Sequence, residues 1–181
     1  MRATFDEAPE LYDRLRPVCP ARLFDDLIDL ARFPKGARLV EIGSGTGQAT
    51  LPLAELGFGI VAIELGERLA ALARKKLGRF PEVEIVNTSF EAWDPHGRRF
   101  DGVVVFHAFH WIDPELRFAK SAQLLRDDGA LAVVTSSYVL TDNADPCWRD
   151  LQEDYAALGP RIDQAAPPHP DTVGDLGAEI E

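Results

Sequence analysis

Sulfur is scarce in this sequence, with two cysteines and one methionine in 181 residues. Cys19 and Cys147 stand far apart and outside any CxxC or Cys/His cluster. That argues against a disulfide framework and against a zinc or other metal site, and it suits a reducing cytosol. Positive charge is also short: 19 Lys+Arg face 30 Asp+Glu, a net charge of −11. A chain that grips nucleic acid or an anionic membrane is expected to carry a basic face, so neither partner is expected. Long apolar runs are missing too. The longest, Val103–Phe106 and Leu131–Val134, have strand length and are far too short to span a bilayer. The opening residues lead into acids and not into an apolar signal region. The expectation is a soluble, cytoplasmic protein.

The remaining composition is that of a globular chain, 46% hydrophobic and 27% charged, which argues against disorder and against fibres. Its charge is unevenly placed: residues 1–140 hold 17 basic and 20 acidic side chains, residues 141–181 hold 2 and 10. The last stretch also carries Gly159, Pro160, Pro167, Pro168, Pro170, Gly174 and Gly177. The chain therefore divides into a balanced body, 1–140, and an acidic, breaker-rich tail, 141–181. No internal repeat is visible.

Within the body, apolar runs alternate with amphipathic stretches. Strands are expected at Arg38–Ile42, Gly59–Glu64, Val83–Val86, Asp101–Phe106 and Ala130–Ser136. Helices are expected at Gln48–Leu56, at Glu67–Leu77 and from Asp113 to Arg126, the last opened by an N-cap acid and a proline. Phe24, Leu27, Ile28, Leu30 and Ala31 mark a further helix upstream, and Trp148, Leu151, Tyr155 and Leu158 one in the tail. Nearly all-apolar strands alternating with helices mean an α/β fold, a mostly parallel sheet covered on both faces.

The sharpest feature is Glu41-Ile42-Gly43-Ser44-Gly45-Thr46-Gly47, between the first strand and the helix after it. Glycines there allow a tight turn and let a ligand lie on the main chain at a helix start. Glu64 ends the second strand, 21 residues after Gly43. A carboxylate at that point can accept both hydroxyls of a ribose. A dinucleotide fingerprint needs Gly or Ala where Gln48 stands, and the loop has neither a GK(S/T) motif nor a cation for a pyrophosphate. The pattern favours a nucleoside ligand without phosphate, and a nicotinamide-dependent oxidoreductase is the weaker alternative.

From Tyr12 to Ser136 the chain resembles a class I S-adenosylmethionine-dependent methyltransferase, a Rossmann-like fold. The resemblance implies that Glu41, Gly43, Ser44, Gly45 and Gly47 surround the methionine end of the cofactor. It implies that Glu64, with Leu65 beside it, binds the ribose, and that Ser89 and Phe90 border the adenine. Phe106 and His107 are implied along the methionyl arm. Phe109-His110-Trp111-Ile112-Asp113 resembles the HWxD stretch of the small-molecule branch that includes trans-aconitate methyltransferase. Residues 1–32 then form a helical cap, with Tyr12 over the cofactor. The implied partner is a small-molecule methyl acceptor, a carboxylic acid among the options, with a cofactor-binding protein that does not turn over as the alternative. His107 and His110 are the candidate proton acceptors, and Trp111 a candidate wall of the substrate pocket. Trp93 and Phe100 are read as core, and Arg74, Lys75, Lys76 and Arg79 as a solvated face.

The family fold has seven strands, the last two an antiparallel hairpin, for which residues after Ser136 offer no pair of apolar runs. The tail is expected to be the start of a truncated substrate-covering region. The open edge of the fifth strand is expected to pair two copies of the chain. Glu64, at a strand end, is expected to contribute little to the core.

Overall fold

The computed structural model describes residues 6–137, 139, 141–157 and 170–173, and the chain divides into two units, Met1–Thr135 and Ser136–Glu181. The division falls five residues before the charge boundary that separates the body from the tail.

The first unit is built on five parallel strands: β1 (Arg38–Ile42), β2 (Gly59–Glu64), β3 (Val83–Asn87), β4 (Phe100–Phe106) and β5 (Leu125–Val134), in the order β3-β2-β1-β4-β5. β1, β2 and β4 are apolar on both faces because both faces are covered. Leu39, Ile60, Ala62, Val104 and Phe106 point to one side, where they meet Phe24 and Leu27 of α2 (Ala21–Ala31) and Leu53 and Ala54 of α3 (Thr50–Glu55). Val40, Ile42, Val61, Ile63, Val103 and Val105 point to the other, against Phe90, Trp93, Phe100, Ile112 and Leu124. Trp93 and Phe100 are thus core, as expected. Burying each Val, Leu, Ile or Phe side chain among these contributes about 1.5–3 kcal/mol.

Chain order reverses between β1 and β4. The chain runs outward from β1 to β3, then returns to place β4 on the other side of β1, in register Leu39 to Gly102 and Ile42 to Val105. The crevice of an open parallel sheet forms at such a switch point, beyond the carboxyl ends of the strands. The glycine loop leaves β1 there and His107 leaves β4 there.

Two elements begin away from their expected places. The helix after β4, α5 (Arg117–Leu124), starts four residues later than Asp113. Asp113 instead closes its own turn, its carboxylate accepting the Glu115 N–H at 2.9 Å. The fifth strand begins at Leu125, which pairs with Phe100, and Arg126–Gly129 bulge out before Ala130 pairs with Gly102. The Asp127-Asp128-Gly129 break read between helix and strand is that bulge, held by the Arg126 guanidinium on Asp101.

Of the described residues in the region expected as a cap, α1 (Pro9–Leu15) reaches the glycine loop, while α2 packs into the core. α4 (Glu67–Leu77) buries Leu69, Ala70, Ala73 and Leu77. The second unit contains α6 (Pro146–Ala157), whose start is closed by Asp145: its carboxylate accepts the Cys147 N–H at 2.9 Å. Leu158 and most of the tail's Pro and Gly residues lie outside the described residues. Among the described residues no helix is long and apolar enough to cross a membrane.

Candidate functional site

Gly43, Gly45 and Gly47 all have positive φ, at 71°, 57° and 82°. At Gly43 the turn is crowded as well as left-handed, since a Cβ there would lie 2.5 Å from that of Ala108. Gly45 is the opposite case. A Cβ there would meet only the Tyr12 ring, at 3.5 Å, an ordinary van der Waals contact, so its left-handed backbone lies uncrowded beneath that ring. The loop is tied to β2 by the Ile63 carbonyl, which accepts the N–H groups of Gly43 (2.9 Å) and Ser44 (3.1 Å).

Glu64 is 8% exposed. One carboxylate oxygen accepts the Gly45 N–H and the other the Gly66 N–H, each at 2.7 Å. Burial, the largest influence, raises its carboxyl above the usual range, against those two N–H donors. The side chain is therefore a staple between two loops, a role beyond the small contribution to the core that was expected of it. Each oxygen keeps a further lone pair for a ligand donor. Asn87 and Thr88 fix the same strand end: the Glu64 carbonyl accepts the Asn87 amide at 2.9 Å and the Thr88 N–H at 3.0 Å. Leu65 is exposed beside it, its carbonyl accepting the same amide at 3.0 Å.

Glu41 follows the parity of Leu39 and is 1% exposed. One of its oxygens and the Ser44 hydroxyl are buried with no hydrogen-bond partner. Burial pushes the Glu41 carboxyl up to about 8, with the Thr50 hydroxyl pulling against it and the Glu64 carboxylate adding to it. Buried polar groups are normally paired. Unsatisfied ones clustered at a glycine loop are what a polar ligand would satisfy.

In the third loop the Ser89 hydroxyl oxygen accepts the Ala92 N–H at 3.1 Å, and Phe90 is buried in the core. Phe106 also turns inward, its ring 5.8 Å from that of Phe24, so it is the backbone at the end of β4 that borders the crevice. His107 has φ 55°, and its N–H extends the β4–β5 pairing to the Val134 carbonyl at 2.8 Å. Burial, with the charges of Arg16 and His110, holds its imidazole below the ordinary value. His110 is exposed and lies 4.6 Å from the half-buried Trp111 ring. The loop after β1 and the end of β4 thus share the switch point.

Residues 40–133 match the family described as methyltransferase domain. The chain belongs to that family. Its cofactor is S-adenosylmethionine. An uncharacterized methyltransferase of Mycobacterium tuberculosis is 30% identical over 134 residues, 74% of this chain and 52% of that protein. The CcbJ methyltransferase from Streptomyces caelestis has a similar fold, with a TM-score of 0.62 at 23% identity over 74% of this chain and 57% of its own. The glycopeptide N-methyltransferase MtfA, complexed with S-adenosylmethionine, gives a TM-score of 0.51 at 25% identity over 61% of this chain and 51% of its own. The chain spans about half the length of the mycobacterial relatives it matches.

The residues present suit that cofactor. The methyltransferase domain presents an uncrowded left-handed backbone at Gly45, buried unsatisfied oxygens at Glu41 and Ser44, and the Glu64 carboxylate on the adjacent strand end. Thr46 and Asn87 lie in loops that the sequence marks, but the side-chain pairings of the site were not legible there. Asp13, Thr46, Lys76 and Asn87 join segments up to 63 residues apart, and no local pattern announces such pairs. Lys76, read as part of a solvated face, instead donates to Asp13 at 2.6 Å.

Proposed function

We propose that this chain is an S-adenosylmethionine-dependent methyltransferase acting on a small-molecule acceptor, with a carboxylic acid the favoured class. The observation that carries the reading is the Glu41–Gly47 loop at the switch point with Glu64 on the neighbouring strand end. Glu64 is placed to hold a ribose diol on its free lone pairs, and Glu41 and Ser44 to meet the polar methionyl end. When bound, the cofactor supplies a methyl group on a positively charged sulfur. The protein's part is mainly to align the acceptor and exclude water.

Arg16 favours an acid acceptor. Its guanidinium sits 5.8 Å from the Tyr12 ring centroid and its charge bears on both Tyr12 and His107. Among the described residues it makes no ion pair. A half-buried guanidinium beside Tyr12 and His107, without an ion pair among the described residues, is suited to a carboxylate. A carboxylate acceptor needs no general base. For a hydroxyl or amine acceptor, His107 is the group placed to take the proton, with His110 and Trp111 on the segment that follows.

The test is calorimetric titration with S-adenosylmethionine, then radiolabelled methyl transfer to a panel of carboxylic acids, alcohols and amines. Binding with transfer to acids is the expected result. Transfer confined to amines would remove the acid assignment, binding without transfer to any acceptor would remove the enzymatic reading, and no binding would remove both.

A further inference from the structure

The helix over the glycine loop is held in an unusual way. α1 fully buries only Pro9, while Leu11 and Leu15 are exposed, so burial of apolar surface does little to keep it in place. Polar contacts do. One Asp13 oxygen accepts the Thr46 hydroxyl at 2.5 Å and the Lys76 ammonium at 2.6 Å, and the Asp13 carbonyl accepts the Gln48 amide at 3.2 Å. Thr46 is completely buried, and the Asp13 and Lys76 side chains are only about a quarter exposed (27% and 26%), so this pair is better shielded than an ordinary surface bridge. The three residues, Asp13, Thr46 and Lys76, come from α1, the glycine loop and α4. Leu77, next to Lys76, packs behind Gly47: a Cβ there would meet its Cδ1 at 2.7 Å. Tyr12, next to Asp13, stands over Gly45 on the open side of the loop.

We propose that Asp13 is a latch: a positioning residue that keeps α1 and Tyr12 closed over the glycine loop and so sets how long the cofactor stays bound. This rests on the reading that the cofactor lies along that loop. A ligand on the Gly45 backbone leaves by way of α1, whose other printed ties lie just before its first turn, where the Asp6 carboxylate accepts the Leu69 N–H at 2.9 Å and the Glu7 carbonyl accepts the Arg68 guanidinium at 2.5 Å, so the Asp13 contacts are those at the loop end of the helix. The latch also joins closure to loop shape, since the oxygen that holds α1 holds Thr46.

The experiment measures S-adenosylhomocysteine dissociation by stopped flow, and amide hydrogen exchange across the chain, in wild type, Asp13→Ala, Asp13→Asn, Lys76→Met and Thr46→Val. Arg22→Ala, which removes an exposed pair with Asp26 on α2, is the control. Asp13→Ala is expected to raise the dissociation rate about tenfold, equivalent to about 1.4 kcal/mol. Exchange should quicken in residues 12–16 while β1 and β4 stay protected. Lys76→Met and Asp13→Asn should fall between Asp13→Ala and wild type, and the control should match wild type. Dissociation within twofold of wild type with unchanged α1 exchange overturns the latch, and so does quickened exchange spread evenly over the sheet. Should Asp13→Ala fail to fold, Lys76→Met and Thr46→Val are read by the same criteria. If wild type binds no S-adenosylhomocysteine, the cofactor reading fails, and α1 exchange in the free protein still decides whether Asp13 holds the helix.

Discussion

Two strand ends flank β1, and they are built differently. Glu64 at the end of β2 is buried, with both oxygens engaged by backbone N–H groups and its own carbonyl gripped by Asn87 and Thr88. His107 at the end of β4 is only half-buried, sits in a left-handed conformation and leads into an exposed His110. The β2 side is assembled before any ligand arrives, as suits recognition of a ligand whose shape never changes. The β4 side is open and strained, as suits a surface that meets varied acceptors. Substitutions on the β2 side should therefore cost binding and stability, and those on the β4 side should cost little of either.

The largest effect is expected from Gly45→Val. A β-branched residue disfavours φ 57° and would fill the space under Tyr12. Calorimetry should show S-adenosylhomocysteine binding weakened by more than about a hundredfold, or about 2.7 kcal/mol. Circular dichroism should still report a folded sheet, because nothing but the Tyr12 ring is close. Gly43→Val differs: its Cβ would clash with Ala108, so the melting temperature should fall as well. Retained affinity in Gly45→Val would show that the loop does not carry the ligand.

Next comes Glu64→Ala. It removes two charge-assisted hydrogen bonds and leaves the Gly45 and Gly66 N–H groups without their acceptor, at about 1–3 kcal/mol. Both cofactor affinity and thermal stability should fall together. A loss of affinity with an unchanged melting temperature would show that the staple contributes nothing to the free protein.

Glu41 gives a pH signature. The folded protein keeps this carboxyl protonated up to about pH 8, whereas the ordinary value is 4.5. Between those values the folded state binds the extra proton, so stability should fall as pH rises through the window, by at most about 1.4 kcal/mol per unit, and level off above it. Denaturant melts at pH 5, 6, 7 and 8 check this, and Glu41→Gln should flatten the dependence. If the cofactor's ammonium group meets Glu41, binding near pH 7 should release a proton, read from calorimetric heats in buffers of different ionisation enthalpy. Proton release of the same size in Glu41→Gln would assign it elsewhere.

The recognition side was legible because its signals are local. Apolar strands, a loop with glycine at every second residue and an acid at the next strand end each occupy a few consecutive positions, and parallel pairing brings them together. What was missed is what only tertiary structure decides. Asp13 and Lys76 meet through helices 63 residues apart. Phe106, implied beside the cofactor, turns its ring into the core on the face of Val104, and its backbone ends β4 at the crevice. The late start of α5 follows from Asp113 capping its own turn. Early pairing of Leu125 with Phe100 requires a bulge whose Asp-Asp-Gly reads in sequence as a plain break. Residues 158–169 and 174–181, about half of the tail, lie outside the described residues.

The smallest effect is expected on the β4 side, at His107. A non-glycine residue at φ 55° pays about 1–2 kcal/mol of backbone strain, which histidine tolerates better than most residues. His107→Gly relieves that strain and loosens the unfolded chain, two effects that nearly cancel. Stability should change by less than about 1 kcal/mol, whereas His107→Val, forced into the same conformation, should lose more than that. Turnover should separate the two roles of this position. Methylation of a carboxylate should survive His107→Gly, and methylation of a hydroxyl or amine should drop. Because burial and Arg16 hold the imidazole below its ordinary value, the base form is already present in mildly acid solution, so the wild-type rate on such acceptors should fall only below about pH 6.5. An equal loss of turnover on all three acceptor classes would mean that His107 shapes the end of β4 and moves no proton.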